Sequence, residues 1–545
     1  MSDSRSAHIA LVEHVRALEN QARQHSIRAE EKFSKRGQLT PRARLSRLLD
    51  PGSSLLELST LAGLGMHDDR SPTSFSKDDR SLIKSDSKTQ VLGGSGISVI
   101  GWVSGLRCVI YVHDSSIKGG AISPMGVKKL LRAQEIALEN RLPLITLAES
   151  AGANLRYQSE LFVEGGETFA NQARLSAAGI PQLTIVHGSS TAGGAYMPGL
   201  SDLVIMVRGR AKVFLAGPPL VAAATGEQVE EESLGGAEMH GELTGSAEWV
   251  AESDHEAILM ARRWLRRIYE SLSVGLKVVL DQASIFQKDP VSQEEVIKRV
   301  PVDFTIPYDP RILLRLIADE GVIDEFKPTY GPDMVVGFMR CHHHPVAFIS
   351  NQGPIHPQGA AKAAHWISIA CQRSWPLVFF QNTTGFMVGS EAEQGGIVKR
   401  GSALIQAVTN ATVPKITFLI GGSFGAGHYA MCGRPFRPRL IFAWPNQRLA
   451  VMGGAQAADV FDQLAERSGI SDERRDSQRR AITEQFDRES SSLFATARLW
   501  DDGIIDPRDT RRILGESLSI FEWAHLAQKE AQVTETRFPL GIARL

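Results

Sequence analysis

Apolar and polar residues alternate along this chain in two recurring ways. Residues 7–35 carry Ile9, Leu11, Val12, Val15, Leu18 and Ala22 near helical spacing, which predicts an amphipathic helix that stops at Gly37. Thr40 and Pro41 read as the cap and first position of a short helix through Leu49, and Asp50-Pro51-Gly52 ends it. Residues 67–90 are rich in Ser, Asp and Lys and read as a solvated loop. From 91 to 115 the pattern turns β-like. A helix over 124–140, a buried strand over 143–148, a helix over 167–178 and a strand over 182–187 follow. Residues 245–272 read as one long helix, and the polar stretch 284–306 as the boundary between halves.

The second half repeats the scheme. Strands are predicted over 345–350, 377–381, 415–420 and 439–443, and helices over 359–372 and 395–410. Residues 472–490 read as a charge-mixed helix and 497–525 as a final helical pair. Strands alternating with helices predict an α/β fold with crossover connections.

The repetition holds residue by residue. Pro181 and Pro414 stand 233 apart (414 − 181), and so do Gly188 and Gly421, Ser190 and Ser423, Gly194 and Gly427, and Tyr196 and Tyr429. Gly152 and Gly385 share that offset. Two copies of one unit are therefore expected, over residues 1–290 and 300–545. In each, an apolar strand runs into a glycine-rich turn and the start of a helix. Such a turn offers backbone N–H groups to an anion.

Bulk properties narrow the functional classes. A hydrophobic content of 43% and a charged content of 22% are ordinary for a globular chain. A net charge of −1 gives no electrostatic case for nucleic acid or an anionic membrane. No apolar run is long enough for a transmembrane helix, and the first residues lack a signal peptide's apolar core, so a cytoplasmic protein is expected. The four cysteines form no C-x-x-C pair. Cys432 reads as a small buried residue rather than a nucleophile. His342-His343-His344 lies between two strand-like runs and reads as a hairpin turn, so no metal site is expected.

An ordered set of motifs spans nearly the whole chain. In the first half these are G-Q-L-T-P-R-A-R-L-S-R-L-L-D-P-G-S at 37–53, D-S-S-I-K-G-G at 114–120, G-S-S-T-A-G-G-A-Y-M-P at 188–198, F-L-A-G-P-P-L-V-A-A-A-T-G-E at 214–227 and L-G-G-A-E-M-H at 234–240. In the second they are Q-N-T-T-G-F-M-V-G at 381–389, G-G-S-F-G-A-G-H-Y-A-M-C-G-R at 421–434 and W-P-N-Q-R-L-A-V-M-G-G-A-Q-A-A at 444–458. Together they resemble the carboxyltransferase (β) subunit of biotin-dependent acyl-CoA carboxylases, in the 3-methylcrotonyl-CoA and geranyl-CoA branch. The resemblance implies two tandem crotonase-like domains. It also implies a hexamer (a trimer of dimers), an active site between domains of different subunits, and a partner α-subunit that carries biotin carboxylase, its ATP site and the biotinyl carrier. The chain itself has no A-M-K-M biotinylation sequence and no G-x-x-x-x-G-K-[ST] loop, which fits carboxybiotin arriving from that partner.

By the same resemblance, CO₂ moves from biotin to a CoA thioester, and two oxyanions need two sets of donors. Ala192, Gly193 and Gly194 are assigned to one hole and Gly425, Ala426 and Gly427 to the other. The first is assigned to the thioester. Lys118, Gly119, Gly152, Arg156, Ala170 and Tyr196 are candidates for acyl-CoA binding; Gly385, Phe386, Gly395, Gly396 and Tyr429 are candidates on the biotin side. Ala170 occupies a place where the 3-methylcrotonyl type commonly carries an aromatic, so a roomier acyl pocket is expected. The stretch P-I-H-P-Q-G at 354–359 departs from the family pattern. No side-chain nucleophile and no His–carboxylate pair stands out by spacing. The alternatives are a β subunit for propionyl-CoA or another acyl-CoA, a biotin-dependent decarboxylase subunit, a non-catalytic scaffold, and a stand-alone hydratase or hydrolase using Glu149 as acid/base.

Overall fold

The computed structural model describes residues 2–67, 91–283, 293–351, 353–468 and 471–533. Residues 68–90 of the expected polar loop and 284–292 of the expected connection lie outside these residues. The chain forms two compact units, one of Leu18–Gln287 with Glu522–Leu545, the other of Met1–Ala17 with Lys288–Phe521. Each unit thus takes a segment from the opposite end of the chain.

The Leu18–Gln287 unit is built on an eight-stranded sheet. Its strands are β1 (Leu56–Leu58), β2 (Gly96–Val103), β3 (Leu106–His113), β4 (Leu144–Ser150), β5 (Gln182–Thr191), β6 (Leu203–Val207), β7 (Lys212–Phe214) and β8 (Trp249–Ala251). The order is β1-β2-β3-β4-β5-β6-β8, with β7 also paired to β5. From β3 onward the pairings are parallel. β2, β3 and β4 are buried along their whole length, as expected for a sheet covered on both faces. The helix Pro124–Asn140 occupies the predicted span because Ser123 accepts a hydrogen bond from the Gly126 N–H, Pro124 starts the first turn, and Arg141 leaves it at φ +51°. Trp523, from the distant segment, is buried and donates through its indole N–H to the Arg141 carbonyl at 3.1 Å.

The other unit repeats the plan with β9 (Ile323–Glu325), β10 (Met334–Cys341), β11 (His344–Asn351), β12 (Leu377–Thr383), β13 (Lys415–Phe424), β14 (Leu440–Ala443) and β15 (Arg448–Ala450). The order is β14-β13-β12-β11-β10-β9, with β15 paired to β13. Its core packs Met334, Val336, Ile349, Phe379, Leu404 and Val408 around the sheet and its covering helices. His8, from the first residues of the chain, is fully buried here, with Nε2 3.1 Å from the Val300 carbonyl.

The sequence offset of 233 is an offset in strand pairing as well. Ser150 pairs with Ser190 across β4 and β5, and Thr383 with Ser423 across β12 and β13. Both ladders slip at the same place, between Ala148 and Ser150 and between Gln381 and Thr383. The isolated bridges Ile122–Ala153 and Ile355–Phe386 also correspond. Two α/β parallel-sheet units with these crossovers make a crotonase-like fold twice over.

Four expected elements differ. Residues 249–251 form β8 and not helix, because Trp249–Ala251 pairs with β6; the helix begins at Asp254. Ser253 accepts from the Glu256 N–H while the Glu256 carboxylate accepts from the Glu252 N–H, a reciprocal cap that fixes this start. The helix expected over 7–35 is two, Ser2–Arg28 and Glu30–Lys35, whereas the one expected at 395–410 runs as Ile397–Thr409 behind Gly396 at φ +75°. The expected final pair is a short helix, Ser492–Ala497, and one long one, Thr510–Val533. The helix expected at 167–178 starts earlier, at Gln158. The histidine run is a hairpin turn as expected: Cys341 pairs with His344, while His342 and His343 have positive φ and donate their N–H groups to Asp319.

Candidate active site

Each glycine turn caps the longest strand of its sheet. β5 runs into Ala192, whose φ is +53°, and β13 runs into Gly425, whose φ is +55°. The two positions correspond, so the left-handed residue is a shared design feature. Glycine fits that conformation; alanine there costs roughly 1–2 kcal/mol. Exposure follows one pattern. Gly193 and Ala426 are exposed, Gly194 and Gly427 are buried, and Tyr196 and Tyr429 are 46% and 44% exposed. The first N–H groups of each helical turn have no partner inside the helix. They sit where an oxygen could approach.

A second turn braces each of these from the preceding strand. The Gly152 N–H donates to Ser150 Oγ at 3.1 Å, and the Gly385 N–H donates to Thr383 Oγ1 at 3.1 Å. Gly152 has φ +82° and lies against the Thr191 carbonyl; Gly385 has φ +119° and lies against the Phe424 carbonyl. Both glycines are needed for the angle. In the first unit a third loop joins them. Lys118, Gly119 and Gly120 are all left-handed, and a Cβ on Gly120 would fall 2.2 Å from the Glu149 carbonyl oxygen. Ser150 Oγ donates to the Gly120 carbonyl at 3.1 Å. The Ile122–Ala153 bridge then brings the Lys118–Gly120 loop beside the Gly152 turn. Arg156 is exposed in the short turn that follows.

Ala170 lies half-buried on the helix Gln158–Ala177. Its neighbour Phe169, which the sequence did not single out, faces the turn. The Phe169 ring stands 5.3 Å from the Tyr196 ring and 3.6 Å from where a Cβ on Gly193 would sit. In the second unit Tyr429 stacks on Phe436 at 5.8 Å. Phe386 is half-buried and packs on the core, with Gly401 leaving room for its ring. Gly395 and Gly396 separate two helices, and Gly395 closes on Pro357.

What lies behind the turns differs. In the first unit Arg44 Nη1 donates to Glu149 Oε2 at 2.5 Å and Arg44 Nε to Asp254 Oδ2 at 3.2 Å. Asp254 also takes the Leu39 N–H at 2.7 Å and pairs with His187 Nδ1 at 2.8 Å. No His–carboxylate pair was expected, yet His187 and Asp254 form one; they lie 67 residues apart with no motif between them. Burial pushes the Asp254 carboxyl up, but the hydrogen bond from His187 and the charge of Arg44 outweigh it and hold the group far below the usual range. Burial, with the Arg44 charge, lowers His187 and keeps it neutral. The Glu149 carboxylate is taken up by Arg44, which leaves the hydratase alternative without a free acid.

Among the described residues, no carboxylate takes that place in the second unit. Gln381 Nε2 donates to the Met431 and His428 carbonyls, which turns its Oε1 toward Ser423 and His428. Ser423 Oγ therefore donates to Gln381 Oε1, and His428 Nδ1–H donates to Ser423 Oγ at 2.8 Å. Burial lowers the His428 pKa to about 4, so the ring is neutral. Gly433 makes room for it: a Cβ there would fall 2.1 Å from Nε2. Cys432 is fully buried, and burial raises its thiol to about 11, as befits a packing residue.

Comparison with known proteins identifies the family. Residues 32–534 match the family model described as the carboxyl transferase domain. A probable biotin-dependent acyl-coenzyme A carboxylase beta2 subunit of Mycobacterium tuberculosis is 45% identical over 491 residues, 89% of this chain and 88% of that protein. The biotin-dependent 3-methylcrotonyl-coenzyme A carboxylase beta1 subunit of the same organism is 44% identical over 511 residues, covering 92% of each. The crystal structure of the P. aeruginosa geranyl-CoA carboxylase beta subunit is 46% identical, with a TM-score of 0.86 over 100% of this chain and 97% of that one. The chain belongs to the carboxyl transferase family. Among the described residues, no helix is long and apolar enough to cross a membrane.

Proposed function

We propose that this chain is the carboxyltransferase subunit of a biotin-dependent acyl-CoA carboxylase, acting on a branched α,β-unsaturated acyl-CoA of the 3-methylcrotonyl or geranyl type. The supporting observation is the pair of left-handed, register-matched turns at Ala192–Gly194 and Gly425–Gly427. Two fixed sets of uncharged N–H donors suit a reaction that develops negative charge on two oxygens.

The acyl-CoA side falls to residues 1–290. The Ala192–Gly194 amides receive the thioester oxygen as it gains charge. Gly119 and Gly152 allow close approach of the substrate, Lys118 and Arg156 supply cations for the CoA phosphates, and Tyr196 and Ala170 border the acyl chain. The biotin side falls to residues 300–545. The uncharged surroundings of Gly425–Gly427, built from Gln381, Asn382, Ser423 and a neutral His428, fit a neutral ureido ring. Gly385, Phe386, Gly395, Gly396 and Tyr429 border that approach. Biotin, carried by a partner α-subunit that alone uses ATP, supplies the transferable carboxyl group. The Gly425–Gly427 amides hold its ureido oxygen as charge develops there. The assembly is a cytoplasmic hexamer with biotin-carrying partners. Its two turns meet across a contact between subunits.

The test is incubation of the purified complex with labelled bicarbonate, ATP and a panel of acyl-CoAs. Acid-stable label on a branched enoyl-CoA, dependent on the partner, is expected. Ala170→Phe should lower kcat/KM for geranyl-CoA more than for 3-methylcrotonyl-CoA. Full activity of the lone chain on an enoyl-CoA would overturn the reading.

A further inference from the structure

Among the described residues, the buried charges behind the first turn have no counterpart behind the second. Residue 149 is Glu where its equivalent 382 is Asn, and residue 187 is His where its equivalent 420 is Ile. Ion pairs this deep, with Arg44 at 1% and Asp254 at 3% side-chain exposure, give little net stability, because desolvation offsets the attraction. The chain itself shows that the same backbone stands on neutral groups. The charges in the first unit therefore call for a role beyond holding the sheet together.

Their position supplies one. Glu149 sits at the slip between β4 and β5, where the two strands change register. Its side chain lies against Gly188 of β5; a Cβ there would fall 2.7 Å from Glu149 Cγ. Its own carbonyl abuts Gly120, and the next residue, Ser150, holds both Gly120 and Gly152. Two residues beyond Gly188, the Ser190 hydroxyl donates to the Gly194 carbonyl at 2.9 Å. All three loops assigned to the acyl-CoA thus meet at the stretch that Arg44 grips. Arg44 is in turn fixed by Asp254, and Asp254 by His187 and the Leu39 N–H.

We infer that Arg44 and Glu149 are a positioning pair for the thioester-side turn: the guanidinium, itself held through Asp254 to His187 of β5, clamps the end of β4 against β5 and neutralises the carboxylate that lies against Gly188, on the strand leading into the turn. The inference rests on assigning Ala192–Gly194 to the thioester. It predicts that the pair matters to turnover beyond any cost to folding, and that an unpaired Glu149 is worse than none. A fixed, uncompensated negative charge would oppose the charge that forms at the turn.

The experiment uses the holo complex with its biotin-carrying partner and compares Glu149→Gln, Arg44→Met and the double variant Arg44→Met/Glu149→Gln. Each is checked for assembly by gel filtration and for folding by thermal melting. Expected are melting curves near wild type for Glu149→Gln, with kcat lowered about tenfold and the acyl-CoA KM nearly unchanged. Arg44→Met should lose about a hundredfold in kcat, and the double variant should recover most of the difference between the two singles. Wild-type kcat in Glu149→Gln, a double variant no better than Arg44→Met, or a loss of rate matched by a loss of folded protein would overturn the inference. If the wild-type complex fails to label any acyl-CoA, the functional reading itself falls. If it labels and the variants do likewise, only the positioning pair does.

Discussion

The turn at Ala192–Gly194 and the turn at Gly425–Gly427 share a left-handed first residue, an exposed second, a buried third and a tyrosine of similar exposure, but have different supports. The first stands on an arginine, two carboxylates and a histidine; the second stands on a glutamine, a serine and a neutral histidine. A duplicated backbone can keep its donors while the groups behind them diverge. The difference teaches that the geometry of a hole and its electrostatic setting are separately adjustable, which is how one fold could serve two chemically different oxygens.

The sharpest break would come from the donors themselves. Gly193→Pro and Ala426→Pro each remove one exposed N–H, and each should lower carboxylation roughly 10²- to 10³-fold with the complex still assembled. Labelled-bicarbonate uptake reads this out. If only one of the pair matters, the parity of the two turns is wrong. Acid titration gives the next effect. Burial lowers His428 to about 4, and burial lowers His113, in the other unit, to about 4 as well. In the unfolded chain both protonate near 6.5. Between those values the unfolded state binds more protons, so stability is full above pH 6.5 and falls as pH drops toward 4, by on the order of 3 kcal/mol per histidine. Melting of His428→Asn from pH 7 to pH 4.5 should show a shallower decline than wild type. An unchanged slope would mean that His428 is not neutral.

Smaller effects come from single methyl groups. A Cβ on Gly427 would stand 2.9 Å from Gly385 Cα and 3.0 Å from Thr383, whereas one on Gly194 meets nothing closer than Ser190 Oγ at 3.4 Å. Gly427→Ala should therefore cost about 1–3 kcal/mol and Gly194→Ala under about 1 kcal/mol. Equal melting shifts would show that the second turn is no more tightly packed than the first. Smallest is the exchange of the left-handed residues. Gly425→Ala should cost about 1–2 kcal/mol, while Ala192→Gly should change stability by less than about 1 kcal/mol, since relief of strain is offset by a freer unfolded chain. Denaturant midpoints would resolve the two.

The turns were legible in the sequence because glycines and a tyrosine recur at one offset. The helix Pro124–Asn140 was legible because its cap, its proline and its apolar spacing agree. The groups behind the turns were not. Arg44 and Glu149 are 105 residues apart, and Arg44 and Asp254 are 210 apart. Nothing in a one-dimensional pattern joins residues that only the folding of helices onto the sheet brings together. β8 was read as helix because three apolar residues adjoin a long amphipathic stretch, although Ser253 and Glu256 spell out where the helix starts. Phe169 was passed over because the family pattern drew attention to Ala170, and no sequence spacing says which of two neighbours faces a turn on another element.

Trp523 and His8 carry a consequence for anyone wishing to cut this chain in two. A break near residue 290 would strand the indole that caps Arg141 on the wrong fragment, and likewise the imidazole seated at Val300. Each half-length polypeptide would expose a cleft shaped for a piece of its former other half. Recovery of folded material should then require co-expression, or grafting the missing tail back onto its host.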